Sequence, residues 1–198
     1  AVMATTRAQL KTIGGFESLV NFLADDYQLG NRIARAGKKI ILSPIVVECR
    51  ERPMNFREVF AHQLRWARTI RICRPLPYFF SILSNVTLWT LALFAVESIE
   101  IYLTIKKYTH DTYFVIWHPH PIFFAPLVFI FIRILIALEL QWRLTGKSSW
   151  QFAWLVPVKD LLNVIIWTLA FFGNKVEWRG ERYKILRGGK LEKIFPTR

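Results

Sequence analysis

An α/β segment followed by a basic interfacial helix and α-helical membrane segments is the fold class this sequence predicts, and three observations predict it. Of the 198 residues, 53% are hydrophobic and 15% aromatic, and the mean hydropathy is positive, which is more apolar than a soluble domain of this size. Lys and Arg number 27 against 14 Asp and Glu, a net charge of +13, and an excess this large implies anionic partners. The basic residues fall in clusters separated by long uncharged runs. Phosphorylated substrates and acidic lipid headgroups therefore fit as partners, and nucleic acid does not. Cys49 and Cys73 are the only cysteines, which makes neither a disulfide framework nor a zinc ligand set.

Residues 1–50 supply the α/β part. The start lacks an initiator methionine, a charged leader and a cleavage pattern, so it reads as mid-protein. A polar segment, Thr5 to Lys11, precedes a turn at Gly14-Gly15. Leu29, Ile33 and Ala36 then share one helical face, which Gly37 stops as a left-handed cap. Lys39 to Val47 alternates loosely and predicts a strand. A helix, turn and strand of this size cannot bury a core alone, so the missing layers are expected upstream.

Residues 51–75 change character. Arg52, Arg57, Arg65, Arg68, Arg71 and Arg74 are interleaved with Phe56, Val59, Phe60, Leu64, Trp66 and Ile70. Apolar positions at three and four predict an amphipathic helix in the headgroup plane, its arginines facing phosphates. Membrane segments are predicted over 76–97, 112–139 and 150–173, each with about the 20 apolar residues that a bilayer core requires. The motif Trp117-His118-Pro119-His120-Pro121 invites a metal reading, but with no third ligand a loop or interfacial position fits better. Residues 150–173 carry Pro157, Lys159 and Asp160 near the middle, where charges normally face protein or water. Residues 174–198 read as a basic soluble tail. Because 51–75 and 174–198 are both basic, both are expected on the cytoplasmic side, so one of the three segments should fail to cross, most readily 150–173.

Four separated stretches carry a resemblance. MATTRAQLKTIGGFESL, LADDYQLGNRIARAGKKI, HQLRWARTIR and VEWRGERYKI with its following Gly188-Gly189 together resemble glycosyltransferase family 2 and its ceramide glucosyltransferase relatives, including those of hopanoid biosynthesis. The resemblance implies that residues 1–50 are the carboxyl-terminal part of a nucleotide-sugar transferase domain, with the first stretch shaping the floor of the acceptor site. It makes Asp26 the catalytic base and assigns Asp25, Tyr27, His62, Arg65 and Trp66 to acceptor or donor binding. His62 stands where glutamine or arginine is usual in the family. The resemblance also implies a divalent cation, Mg or Mn, with ligands in the upstream half and none in this chain.

These residue types suit the chemistry. Sugar transfer from a nucleoside diphosphate needs a base to take the acceptor hydroxyl's proton. Read from the residues alone, Asp25 and Asp26 suit the amino terminus of a helix; with the resemblance, Asp26 is the base. Arg65 offers a planar donor fork to a leaving diphosphate, or to a lipid phosphate. Trp66 suits stacking on a sugar face, or an interfacial anchor. The expected activity is inverting transfer of a hexose or N-acetylhexosamine from a nucleotide-sugar donor to a membrane lipid hydroxyl of ceramide or hopanoid type. A processive polysaccharide synthase and a non-enzymatic polytopic membrane protein are the alternatives. The expected location is an integral position in a bacterial inner membrane or Golgi-type membrane, with the catalytic part cytoplasmic, and the chain alone is expected to be inactive.

Overall fold

A computed structural model describes residues 2–48, 52–107, 124–147, 149–178 and 180–195. The chain divides into two compact units, Ala1–Phe79 with Ile166–Arg198, and Phe80–Ile165. Cys49 and the His118–His120 motif lie outside the described residues.

The first unit opens with two helices and not with a layered α/β arrangement. Helix α1, Arg7–Thr12, is capped by the Thr6 hydroxyl, which accepts from Gln9 N–H. It stops where Gly14 and Gly15 take positive φ, their N–H groups closing back on Lys11 and Leu10 carbonyls; glycine adopts that conformation without the steric cost of a Cβ. Helix α2, Asp25–Arg35, then packs Leu29 and Ile33 on Leu19, with Leu10 and Ile13 alongside. Ala36 falls outside this core and is exposed. Arg32 donates to Ser18 Oγ at 2.8 Å, and that hydroxyl donates to the Ile13 and Gly15 carbonyls, so the glycine turn is tied to α2.

The strand expected over Lys39–Val47 is absent. Leu42 is 94% exposed and Ile41 78%, and no strand is assigned to the segment. A strand exists only as part of a ladder, and the described residues give this segment no partner.

Helix α3, Phe56–Cys73, starts on a capping box: Asn55 Oδ1 accepts from Glu58 N–H while Glu58 accepts from Asn55 N–H. The short helix α4, Pro75–Phe80, follows at once. Residues 76–97 are therefore not one helix. Pro75 and Pro77 permit only a short turn, a 3₁₀ turn covers Ser81–Ser84, and the long helix α5 begins at Val86 and runs to Lys107. Asn85 sets that start by accepting from Leu88 N–H.

Helix α6, Ala125–Thr145, ends at Gly146 in the left-handed conformation. Helices α5 and α6 are both long and apolar enough to cross a membrane. Helix α7, Leu155–Ala170, has 16 residues, or about 24 Å at the usual rise, short of a bilayer core of about 30 Å.

The sheet lies at the other end of the chain from where the sequence pattern suggests it. Strands β1, Lys175–Trp178, β2, Glu181–Ile185, and β3, Leu191–Lys193, form an antiparallel meander in the order β1-β2-β3. Val176 and Ile185 turn inward and are buried. The sheet joins the amino-terminal helices through three contacts: Leu191 N–H donates to Asn21 O at 2.7 Å, Lys190 bridges Phe22, and Gln28 Nε2 donates to Gly188 O at 2.8 Å. Gly189 has φ +88°, and a Cβ there would lie 2.8 Å from Cys73 Sγ, so only glycine fits.

In the second unit, Arg133 of α6 donates through Nε and Nη2 to the two Asp160 oxygens at 2.9 and 2.8 Å. Thr87 Oγ1 donates to Asp160 Oδ2 at 2.7 Å, and Asn85 Nδ2 to the Asp160 carbonyl at 2.8 Å. The residue that interrupts the apolar run of α6 and the carboxylate in the middle of α7 thus neutralise each other, while Lys159 remains exposed. Breaking one side of a buried pair strands the other charge. Asp160→Ala is expected to destabilise the chain by about 3 to 5 kcal/mol, and Arg133→Met with Asp160→Leu to recover most of that loss. Thermal unfolding in detergent checks both.

Candidate functional site

The first unit carries a cavity of about 630 Å³ beside the start of α2. Its walls are largely apolar, with Met3, Leu29, Ile33, Ile40, Leu42 and Ile70 among them, and the Asp26 carboxylate stands on the lining with Tyr27 and Trp66. Asp26 reaches this place because it is the second residue of α2, where the helix dipole favours a carboxylate. Its Oδ1 accepts from Tyr27 N–H at 2.7 Å, as Asp25 Oδ1 accepts from Asp26 N–H at 2.9 Å. The role at the helix amino terminus is therefore occupied by one oxygen of Asp26. Oδ2 has no hydrogen bond among the described residues.

The predicted site residues separate into three groups. Asp26, Tyr27 and Trp66 share the cavity. Asp25, adjacent in sequence, is exposed and does not line this cavity; it lines a second depression with Phe16, Phe22 and Trp178, which Asp26 also borders. His62 and Arg65 line a groove between α3 and the carboxyl-terminal sheet. One hydrogen bond links the first and third groups, since Trp66 Nε1 donates to His62 Nε2 at 3.2 Å. In that bond the imidazole is an acceptor, which orients the Trp66 indole at the cavity mouth. Of the first motif, Met3 and Gln9 line the cavity wall, whereas Phe16 turns to the Asp25 side.

Two of the arginines expected to face lipid phosphates are used inside the chain. Arg68 donates to the Lys175 and Phe172 carbonyls at 2.8 and 3.0 Å, and Arg71 donates to Gly173 O at 3.1 Å with its guanidinium 5.8 Å above the Phe171 ring. Carbonyls beyond a helix end lack intrahelical donors, and cations are favoured there. Burial lowers the Arg68 pKa, and neighbouring Arg71 lowers it further; burial alone does so for Arg65.

Sequence reasoning missed Cys73, which lines the same cavity as Asp26. Burial pushes its thiol upward, and the Asp26 charge adds to the rise, so the thiol is held in its unreactive form. The signal that finds it is helical spacing: Trp66, Thr69, Ile70 and Cys73 recur at three and four and form the cavity-facing stripe of α3. The carboxyl-terminal sheet was missed as well, where sequence reasoning reads only a basic tail; the signal is the alternation of Val176 with Trp178 and of Tyr183 with Ile185 about a glycine turn. Among the described residues no three His, Cys, Asp or Glu side chains converge.

The chain is mainly helical, with two helices long and apolar enough to cross a bilayer and an apolar cavity with one carboxylate residue on its lining. The chain belongs to glycosyl transferase family 21, whose sequence model matches residues 1–191. No curated protein and no solved structure matches it. Family membership makes the chain a glycosyltransferase and sets aside the non-enzymatic reading.

The proximity of Asp26 to Cys73 is open to measurement. Asp26→Asn removes the charge that opposes thiolate formation, so the Cys73 pKa should fall while burial still holds it above the ordinary range. In a Cys49→Ser background, iodoacetamide labelling at fixed alkaline pH should be faster in Asp26→Asn than in the parent. An unchanged rate places Asp26 too far from the cavity wall to act there.

Proposed function

We propose that this chain carries the acceptor side of an inverting transferase that moves a hexose or N-acetylhexosamine from a nucleotide sugar to the hydroxyl of a membrane lipid of ceramide or hopanoid type. The observation that carries the reading is the Asp26 carboxylate, with one oxygen unengaged, on the wall of an otherwise apolar cavity. A two-chain lipid keeps its tails out of water, at about 0.8 kcal/mol for each buried CH₂, so the site must meet the lipid at the interface. An apolar cavity accepts the upper part of such a chain and leaves the hydroxyl at the carboxylate.

The acceptor hydroxyl gives its proton to Asp26 Oδ2 as its oxygen attacks the anomeric carbon. The bond from that carbon to the diphosphate breaks on the opposite face, which inverts the configuration, and the nucleoside diphosphate leaves with the electron pair. Arg65, half-buried and without a carboxylate partner among the described residues, opens into the groove on another face of α3 and is assigned to donor binding, not to the reacting atoms at Asp26. Trp66, held by His62, bounds the cavity mouth where the sugar must lie. A divalent cation, Mg or Mn, is assigned to residues outside this chain.

The basic α3 and the carboxyl-terminal sheet are assigned to the cytoplasmic face, joined by two crossings, α5 and α6, with α7 too short for a third. In sealed vesicles, Pro53→Cys and Glu192→Cys in a Cys49→Ser, Cys73→Ser background should both be labelled from the same side by a membrane-impermeant maleimide. Labelling from opposite sides rules out the two-crossing arrangement.

In the complete enzyme, Asp26→Asn keeps the shape and the amide acceptor at the helix start but removes the base. Turnover should fall by about 100-fold to 10,000-fold with little change in donor affinity, while the melting temperature stays near that of the parent. Asp25→Asn should be much milder, because Asp25 does not line the cavity. Retention of more than about a tenth of the turnover by Asp26→Asn, far short of a general base's contribution, limits Asp26 to its place at the helix start.

A further inference from the structure

The groove on the far side of α3 from the Asp26 cavity has an unbalanced charge. About 750 Å³ in volume, it is lined by six cationic side chains, Arg52, Arg57, Arg65, Arg68, Lys175 and Arg182, against two carboxylates. One of those carboxylates is already engaged, since Glu58 pairs with Arg52 at 2.9 Å and caps α3. The other, Glu177, stands opposite Arg182 in the β1–β2 register but makes no ion pair with it. Among the described residues the side chains of Arg57, Arg65, Lys175 and Arg182 have no anionic partner.

The fold enforces this crowding. Arg68 holds the start of β1 by donating to the Lys175 carbonyl, so the hairpin cannot swing away to relieve the repulsion. Arg65 is half-buried and its pKa is lowered by desolvation, a cost that an anion in the groove would offset. Guanidinium forks approaching from two elements match the oxygens of a phosphate group better than a single carboxylate.

We infer that the groove between α3 and the β1–β2 hairpin is a phosphate-binding site, in which Lys175 and Arg182 of the carboxyl-terminal sheet join Arg57 and Arg65 of α3 around one phosphate-bearing ligand. It shares Arg65 with the transfer reaction above and rests on that reading for this residue only. Two sources offer the same chemistry, the headgroup of an anionic phospholipid and a free diphosphate. The carboxyl-terminal sheet is then a working wall of the protein and not merely a basic tail.

The test uses the full chain and binding, not turnover. In one arm, inorganic pyrophosphate is titrated calorimetrically into the chain in nanodiscs of neutral lipid; in the other, phosphatidylglycerol binding from mixed micelles is followed by native mass spectrometry. Binding in the pyrophosphate arm identifies a free diphosphate, and binding in the lipid arm a headgroup. In whichever arm binds, Lys175→Gln with Arg182→Gln should weaken affinity by about tenfold or more, whereas Arg7→Gln with Lys11→Gln, the same charge change elsewhere, should not. Lys175→Arg with Arg182→Lys should bind as the parent does, which separates lost charge from lost folding. Asp26→Asn should also bind as the parent does, so a failed base assignment leaves this result standing. Absence of binding in both arms, or equal weakening by the two charge-removing pairs, overturns the inference.

Discussion

The contact on which the rest of the first unit depends is the grip of α3 on the backbone that leaves α7. Three carbonyls beyond the end of α7, at Phe172, Gly173 and Lys175, have no helical donor, and Arg68 and Arg71 supply it. Carbonyls past a helix end lack intrahelical donors, and charged donors form the stronger bonds. This fixes where β1 begins, and β1 sets the register of β2 and β3. The sheet in turn reaches Asn21, Phe22 and Gln28, so segments more than 150 residues apart in sequence close on one another. Tyr78 and Trp167 reinforce the closure by exchanging hydrogen bonds between their side chains and each other's carbonyls.

The second unit follows the same rule with a different partner. Arg133 and Asp160 each sit in a largely apolar segment, and each is the other's ion-pair partner among the described residues. The bidentate geometry, with Thr87 on the remaining lone pair, satisfies the carboxylate almost fully. A pair of this kind adds little to stability compared with a hydrophobic replacement, but it ties three helices in one arrangement. That removes the apparent conflict between the apolar length of residues 150–173 and the charges in their middle. The segment is a short helix clasped to its neighbours.

Within the candidate site, α3 works on two faces at once. Residues spaced at three and four from Trp66 to Cys73 look into the apolar cavity, while His62 and Arg65 look into the basic groove. The hydrogen bond from Trp66 to His62 spans the boundary. An apolar cavity and a basic groove thus share one helix without sharing a compartment, which keeps the cations from being buried beside apolar side chains.

Residue chemistry was the part legible in the sequence: the acidic pair at a helix start, the Arg and Trp of the basic helix, the glycine turns and the apolar runs are local features whose meaning travels with three to twenty residues. Local pattern also located α2 and α3, because capping residues and helical spacing lie close in the chain. Whether Lys39–Val47 forms a strand depends on a partner far from it, and no local pattern specifies that partner; the same apolar alternation that suits a ladder is left as an exposed segment when no strand adjoins it. The exclusion of Asp25 from the cavity that Asp26 lines, the arrival of Cys73 in that cavity, the diversion of Arg68 and Arg71 to backbone carbonyls and the pairing of Arg133 with Asp160 were decided by tertiary structure alone. Each requires groups distant in sequence to meet, and only the packed chain brings them within hydrogen-bond or Coulomb range.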